Sequence, residues 1–293
     1  MIAVIGGSGL GEAFAEQGGG ETIEVDTPFG PPSAPLVRTH WGGAEIIFLN
    51  RHGVGHCYSP SAVPYRANIF ALKMVGVTTV IASGAVGSLR EEIQPGHLVI
   101  CDQAIDKTFR RAGTFYHGEL AVHVELADPF CPVLRERIIG QADRVEATVH
   151  RSGTYVCMEG PQFSTRAESQ MHRDWGGDVI GMTAMPEAKL AREAELSYAL
   201  VALPTDYDCW RPPHTRDRRA LLAEIMGNLK QATQQAIVLI QAVIADLHRS
   251  PIDDCDAFRA LELGIWTDKS VVSPQTIERL HPLIGRYFDD RSV

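Results

Sequence analysis

Three features are missing from this sequence, and each absence argues against a class of protein. No run of 18 apolar residues occurs, so a membrane-spanning helix is not expected. The apolar run Ile2–Ile5 leads straight into glycines and is too short for a signal peptide. No basic patch offsets the formal net charge of −9, which argues against a nucleic-acid partner. We therefore expect a soluble, cytoplasmic protein that binds neither membranes nor nucleic acid.

Paired cysteine motifs are also missing. The six cysteines contain no C-x-x-C pair, and several lie in apolar runs, a pattern typical of reduced, buried thiols. With 45% hydrophobic and 22% charged residues, the chain has the composition of an ordinary globular protein. Its 293 residues fit a single α/β unit.

Short apolar runs alternate with helical patterns along most of the chain. Helical periodicity is present at Tyr65–Val75 and Glu187–Ala194. Strands that alternate with helices predict the α/β class, with helices on the faces of a sheet. The strand-like runs are Ile2–Ile5, Glu45–Leu49, Thr78–Ala82, His97–Cys101, Asp178–Gly181 and Leu196–Leu203.

The last part of the chain divides into a long helix and an arm. An apolar stripe predicts one helix over Arg219–Leu247, and Ser250-Pro251 ends it. In the arm, Ser273-Pro274 has the form of a helix start, and Pro282 is expected to kink that helix. We therefore predict a single domain over residues 1–249 and a C-terminal arm over residues 250–293.

Two carboxylates follow a buried strand. Asp206 and Asp208 belong to the segment Thr205–Asp208, which follows the apolar run Tyr198–Pro204. Residues at i and i+2 of an extended chain point to the same side, and ligands of open α/β sheets bind at the carboxyl ends of the strands. An isolated D-x-D is more often a pair of solvated acids, so the residues at the other strand ends decide between the two interpretations.

Two glycine-rich segments offer backbone donors to an anion. Gly6–Gly11 follows the first strand, and we expect Ser83–Ser88 at the end of a later one. Glycines allow backbone N–H groups to approach an anion, and Ser8 adds a hydroxyl. The first segment is neither a Walker loop nor a dinucleotide fingerprint, because Glu12 stands in place of the third glycine.

A basic pair follows a further strand. Arg51 offers a planar fork to phosphate oxygens, and we expect His52 to add a donor. His52 and His56 are four residues apart, but the glycines between them make the helix of a zinc pair improbable. We expect an anion site here and no metal.

A further segment could hold a planar ring. Met158–Glu168 mixes turn residues with an aromatic ring and hydroxyls, and Phe163 could stack on a base or pack in the core. Beyond the following strand, Thr183 could donate to an anion and Met182 could pack against a sugar.

Taken together, these segments resemble one family. In chain order they are Gly6-Gly7-Ser8-Gly9-Leu10, Arg51-His52-Gly53, Gly84–Leu89, Glu159–Ser164, Met182-Thr183 and Thr205–Trp210. The combination, spread over residues 1–247, resembles the trimeric purine nucleoside phosphorylases, and among them most closely the 5′-methylthioadenosine phosphorylases. The resemblance implies an α/β fold in which helices flank a mixed central β-sheet, in a single domain.

The resemblance also implies a role for each matching residue. The residues expected to hold phosphate are Ser8, Arg51, His52, Gly84, Ala85 and Thr183. The residues expected to contact the nucleoside are His56, Phe163, Ser164, Met182, Asp206 and Asp208, with His123 from a neighbouring subunit. The implied assembly is a homotrimer, and inorganic phosphate is a co-substrate, with no cofactor beyond it.

The implied reaction is phosphorolysis. Phosphate replaces the purine at the anomeric carbon of the ribose, and the departing base must receive a proton at N7. Asp206 is the expected donor, which requires a raised pKa that burial beside Asp208 would supply.

Base choice follows from hydrogen-bond polarity. The N6 amino group of adenine donates, and carboxylates accept, which favours methylthioadenosine first and adenosine second. The segment Arg211–Arg219 departs from the family pattern, so the 5′ substituent stays open. The alternatives are a 6-oxopurine nucleoside phosphorylase, a nucleoside hydrolase and a non-catalytic nucleoside-binding protein.

Overall fold

The computed structural model describes residues 1–16, 19–212, 215 and 217–288. The departing segment Arg211–Arg219 and the end of the predicted arm therefore lie partly outside the described residues. Within those residues, no helix is both long enough and apolar enough to cross a bilayer.

The described residues form an 11-stranded mixed sheet. The strands are β1 (Ile2–Gly6), β2 (Glu21–Ile23), β3 (Leu36–Trp41), β4 (Ala44–Asn50), β5 (Thr79–Ser88), β6 (Leu98–Ile100), β7 (Gln103–Asp106), β8 (Val149–His150), β9 (Thr154–Cys157), β10 (Val179–Gly181) and β11 (Ser197–Asp206). The main path is β2-β3-β4-β1-β5-β10-β9-β7, while β11 pairs with β5 and β6, and β6 also pairs with β8.

Helices cover both faces of this sheet. They are α1 (Leu10–Glu16), α2 (Tyr65–Met74), α3 (Pro132–Ile139), α4 (Arg166–Asp174), α5 (Ala184–Glu193), α6 (Arg218–Arg249), α7 (Pro274–Arg279) and α8 (His281–Ile284). Residues of α2 and α5 share one apolar cluster, and residues of α3 and α6 share another. The predicted fold class, a single α/β domain in which helices flank a mixed sheet, is confirmed.

The central strands alternate between these two clusters. On β1, Ala3 and Ile5 pack with α2 and α5, whereas Val4 packs with α3 and α6. Successive side chains of a strand point to opposite faces, and both faces are covered, so the buried strands read as continuous apolar runs. This explains why the runs at β1 and β11 were predictable from the sequence.

Strand β5 is longer than predicted. Its first residues pair in parallel with β1, and its last two, Gly87 and Ser88, pair with β10 in antiparallel orientation. The expectation that Ser83–Ser88 follows the strand is therefore wrong. These glycines lie within the strand, where they let other side chains approach its backbone.

The long helix and the arm follow the predicted outline with one difference. α6 buries its apolar stripe only from Ala232 onward, whereas Leu222 and Met226 in its first turns are exposed. In the arm, Ser273 accepts the N–H of Thr276 as the cap of α7, and a separate helix α8 begins before Pro282. The predicted helix start and kink in the arm are confirmed.

Candidate active site

Arg51 is a fully buried cation held in one orientation. Its Nε and Nη2 each donate to the Glu187 carboxylate at 2.7 Å, and its Nη1 donates to the carbonyl oxygen of Ser83 at 2.7 Å. Tyr198 donates its hydroxyl to the same carboxylate at 2.8 Å. Burial alone would lower the pKa of Arg51, but the charge and hydrogen bonds of Glu187 outweigh burial and raise it. The guanidinium carries five N–H donors, so donors remain for a ligand.

Glycines bring the backbone close to this cation. A Cβ added at Gly7 would lie 2.7 Å from Arg51 Nη1, and one added at Gly84 would lie 3.5 Å from Thr183 Oγ1 and 3.9 Å from Arg51 Nη1. Four segments of the chain, at Gly7, Arg51, Gly84 and Thr183, therefore converge on one point. Ser8 and Ala85 are the chain neighbours of the two glycines. The predicted phosphate residues gathered here are Ser8, Arg51, Gly84, Ala85 and Thr183.

His52 lies beside Arg51 as a neutral ring. Its Nδ1 is 2.9 Å from the carbonyl oxygen of Tyr58, which can only accept, so Nδ1 carries the proton. Burial, followed by the charge of Arg51, lowers the pKa of His52 to about 4. At neutral pH, Nε2 is therefore an acceptor, whereas the sequence predicted a donor. It suits a hydroxyl of the sugar or of a protonated phosphate.

His56 stacks on this ring. The ring centroids of His52 and His56 are 4.2 Å apart, with planes 10° from parallel, and His56 is exposed with a φ of 57°. Over the residues that the structure describes, no group of three His, Cys, Asp or Glu side chains could hold a metal ion.

The two carboxylates meet through a turn. β11 ends at Asp206, opposite Gly87 of β5, and Asp208 has a left-handed φ of 49°. The N–H of Asp208 donates to Asp206 Oδ1 at 2.8 Å, and the Thr205 hydroxyl donates to Asp206 Oδ2 at 2.7 Å. The predicted extended geometry is therefore wrong for Asp208. The acids still lie together, because the turn folds Asp208 back onto Asp206.

Asp208 is the more constrained of the two acids. The hydroxyl of Ser169 donates to its Oδ2. Burial, and then the charge of Asp206, raise the pKa of Asp208 in spite of that hydrogen bond. This carboxyl therefore keeps a proton to a higher pH than a free aspartate does.

Strand β5 sets the distance between the anion-binding cluster, which surrounds Arg51 and Gly84, and the two carboxylates. Gly84 and Gly87 are three residues apart, which is about 10 Å along a strand. β10 runs antiparallel to β5 with Ile180 opposite Gly87. Beyond β10 the chain therefore leads Thr183 to Gly84, with Met182 between the two groups. This spacing is that of a sugar with an anion on one side and a base on the other.

The predicted base segment adjoins the acids. The carbonyl oxygen of Ser164 accepts the thiol of Cys209 at 3.2 Å, which joins the segment to the turn after β11. A Cβ added at Gly160 would lie 2.6 Å from the sulfur of Met182. Phe163 itself is 84% exposed, so its ring is open to a partner.

Known proteins agree with this geometry. A sequence model of the phosphorylase superfamily matches residues 1–245. The chain belongs to the phosphorylase superfamily. The S-methyl-5′-thioadenosine phosphorylase of Geobacter sulfurreducens, a similar protein, is 47% identical over 288 residues, covering 98% of this chain and 99% of that protein.

Solved structures of phosphorylases show the same fold. A methylthioadenosine phosphorylase from an antarctic soil metagenomic library has a TM-score of 0.88 and 42% identity, covering 96% of this chain and 98% of that one. The methylthioadenosine phosphorylase of Schistosoma mansoni, solved with adenine, has a TM-score of 0.81 and 33% identity, covering 89% and 96%. The predicted family resemblance is confirmed.

The sequence did not reveal a buried ion pair that lies behind Met182 in this chain. The Arg111 side chain donates to the carboxylate of Glu159 at 3.3 Å and to the carbonyl oxygens of Met182 at 2.5 Å and Met185 at 2.7 Å. Burial would raise the pKa of Glu159, but hydrogen bonds from Ser61 and two backbone amides, with the charge of Arg111, lower it to about 2. The pair fixes the backbone at the proposed sugar site.

Glu187 was also missed, although one signal was available. It is the single acid in the first two turns of α5, among apolar neighbours, and a charge on a buried helix face requires a partner. The sequence cannot show that this partner is Arg51, which lies 136 residues earlier.

His123 lies apart from the other predicted residues. Its N–H donates to the carbonyl oxygen of Gly264 at 2.9 Å, and its ring is 4.7 Å from that of Trp266. Both partners belong to the arm. His123 and Trp266 are exposed, which is compatible with contact to another subunit.

Proposed function

We propose that this phosphorylase cleaves 5′-methylthioadenosine with inorganic phosphate, yielding adenine and 5-methylthioribose 1-phosphate. The observation that carries the proposal is the position of two groups along β5. The anion-binding cluster lies at Gly84, and the two carboxylates lie at Gly87, about 10 Å away. The relatives named methylthioadenosine phosphorylases give the substrate.

The anion-binding cluster positions phosphate, the nucleophile. Arg51 and the hydroxyls of Ser8 and Thr183 hold phosphate, together with the backbone at Gly84 and Ala85. Glu187 balances the charge of Arg51 and fixes its fork, so little reorganisation is needed when phosphate enters. Such positioning can lower the activation barrier by about 7–11 kcal/mol.

The carboxyl pair assists the leaving group. As the bond from C1′ to N9 breaks, its electrons move into the purine, and a phosphate oxygen forms the new bond at C1′. The Asp206 carboxyl gives its proton to N7 and is left as a carboxylate. Asp208 accepts the N6 amino group, which favours adenine over a 6-oxopurine, whose O6 would leave a buried acceptor unpaired.

The remaining residues surround the sugar and the base. Phe163 and Ser164 contact the base, and Met182 packs on the ribose. His56 approaches the 5′ end of the sugar. In a homotrimer, His123 of a neighbouring subunit reaches the same end. Its exposure and its attachment to the arm support this role.

No cofactor other than the co-substrate phosphate is part of this proposal. We also propose a cytoplasmic enzyme of purine salvage. All six cysteines are free thiols, and four of them are buried, which suits a reducing compartment.

A substrate panel tests the proposal. Base release is measured from methylthioadenosine, adenosine and inosine, each with and without phosphate. We expect release to require phosphate, with methylthioadenosine first and inosine last in kcat/KM. Release without phosphate would identify a hydrolase, and a preference for inosine would identify a 6-oxopurine phosphorylase.

A further inference from the structure

Helix α4 holds one of the two acids directly. Ser169 is fully buried, and its hydroxyl donates to Oδ2 of Asp208. Because Asp208 has a left-handed backbone, its side chain depends on such contacts for its direction. The N–H of Cys209 and the hydroxyl of Ser164 are further donors to this carboxylate, and together with Ser169 they fix its direction.

The same helix holds the acid turn at a second point. The Arg173 guanidinium carbon lies 3.5 Å from the centroid of the Trp210 ring, a cation–π contact. Trp210 Nε1 donates to the carbonyl oxygen of Ser88 on β5 at 2.8 Å. Residues four apart lie on one face of a helix, so Ser169 and Arg173 contact the segment Asp206–Trp210 from the same face of α4.

The start of α4 connects these contacts to the predicted base segment. Thr165 and Glu168 form a reciprocal capping box, in which each side chain accepts the backbone N–H of the other residue. Phe163 and Ser164 directly precede that cap. A displacement of α4 would therefore move the proposed base platform and the acid turn together.

From these contacts we infer that Ser169 is a positioning residue that sets the choice between 6-amino and 6-oxopurines. Its hydroxyl stabilises the ionised form of Asp208 and holds the carboxylate toward the 6-substituent. An ionised Asp208 accepts a hydrogen bond from an amino group, whereas a protonated one can donate to O6. This inference rests on the proposed function.

The groups facing Asp208 include three hydrogen-bond donors, and the Ser169 hydroxyl lowers the pKa of Asp208 more than the other two do. They are Asp206 at the end of β11, Cys209 next to it, and the hydroxyls of Ser164 and Ser169. No cationic side chain among the described residues forms an ion pair with Asp208. Loss of the Ser169 donor therefore raises the pKa of Asp208 further.

The test compares Ser169→Ala with Ser169→Thr, which restores a hydroxyl, and with the control Gln170→Ala. Gln170 is exposed on the same helix, and its side chain donates to Asp174. In Ser169→Ala, we expect the ratio of kcat/KM for adenosine over inosine to fall about tenfold, the size of one lost hydrogen bond to a charge. The acid limb of that ratio should move up by about one pH unit. Both should recover in Ser169→Thr and stay unchanged in Gln170→Ala.

Affinity provides a second measurement that does not require turnover. The Kd of adenine relative to hypoxanthine should shift in the same direction in Ser169→Ala, measured by calorimetry on the intact protein. An unchanged ratio in both assays, or an equal loss for both bases with a lower Tm, would overturn the inference. Phosphate-dependent release by the wild-type protein judges the proposed function separately.

Discussion

Arg51 and Glu187 form a two-pronged ion pair in which neither side chain is more than 1% exposed. Both bonds measure 2.7 Å. Such planar pairing fixes the guanidinium in direction as well as in position. The cation at the proposed phosphate site is therefore prepared before phosphate arrives.

Arg51→Ala should weaken phosphate use far more than nucleoside use. We expect the phosphate KM to rise about 10- to 100-fold, the value of one or two charge-assisted hydrogen bonds. The nucleoside KM at saturating phosphate should change much less. Steady-state kinetics with each substrate varied in turn provide the measurement.

A matched variant separates phosphate binding from folding. Arg51→Ala leaves Glu187 buried without its partner, which costs about 3–5 kcal/mol of stability. The double variant Arg51→Gln, Glu187→Gln removes both charges at once. It should unfold at a higher denaturant concentration than Arg51→Ala does, and its phosphate KM should be raised as much as in Arg51→Ala. An unchanged phosphate KM in either variant would show that the anion site is elsewhere.

The sequence predicted the strands that matter most, because β1 and β11 are covered on both faces and appear as unbroken apolar runs. It did not predict the full length of β5, since glycines usually end strands and here they lie within one. The ion pairs of Arg51 with Glu187 and of Arg111 with Glu159 join distant parts of the chain, and local patterns carry no record of them. The left-handed turn at Asp208 was missed for a different reason. Its hydrogen bonds to Asp206 are local, but a positive φ is uncommon for any residue other than glycine, even for aspartate.

Asp206→Asn should change both rate and base preference. The variant loses the proposed proton donor, so turnover of methylthioadenosine should fall by about 10²–10⁴-fold. Inosine should lose less, because the new amide can donate to O6. The measurement is the ratio of kcat/KM values at saturating phosphate. A loss of equal size for both substrates would remove Asp206 from base discrimination, and no loss for either would place the acids outside the site.

Shared active sites predict complementation between two weak variants. His123→Ala and Asp206→Asn damage the same site from different subunits. After subunit exchange of an equal mixture, about one quarter of the sites in a head-to-tail trimer should regain both residues. Activity should rise above that of either variant alone. A fully active monomer in sedimentation, or no gain after proven exchange, would contradict the shared site.

Glu193 should make stability depend on pH. Burial raises its pKa from the ordinary value of 4.5 to about 7, so the folded chain binds a proton that the unfolded chain releases. The contribution of Glu193 should therefore fall as pH rises from about 4.5 to 7, by up to about 3 kcal/mol. His52, with its pKa lowered to about 4, acts in the opposite direction in this range.

The difference between the wild-type protein and Glu193→Gln isolates this effect. In the variant, we expect the free energy of unfolding to lack the decrease with rising pH that Glu193 causes. The measurement is urea unfolding at pH 5 and pH 8. Glu262→Gln, at an exposed position of the arm, is the control and should follow the wild-type curve. A Glu193→Gln protein that retains the whole decline would show that another group is responsible.

The most direct test of the account is the identity of the sugar product. Methylthioadenosine is incubated with the wild-type protein and inorganic phosphate, and the mixture is followed by phosphorus NMR together with the ultraviolet signal of adenine. We predict one sugar 1-phosphate for each adenine released, and no adenine when phosphate is left out. Adenine released together with free methylthioribose, while the phosphate signal stays constant, would contradict the account.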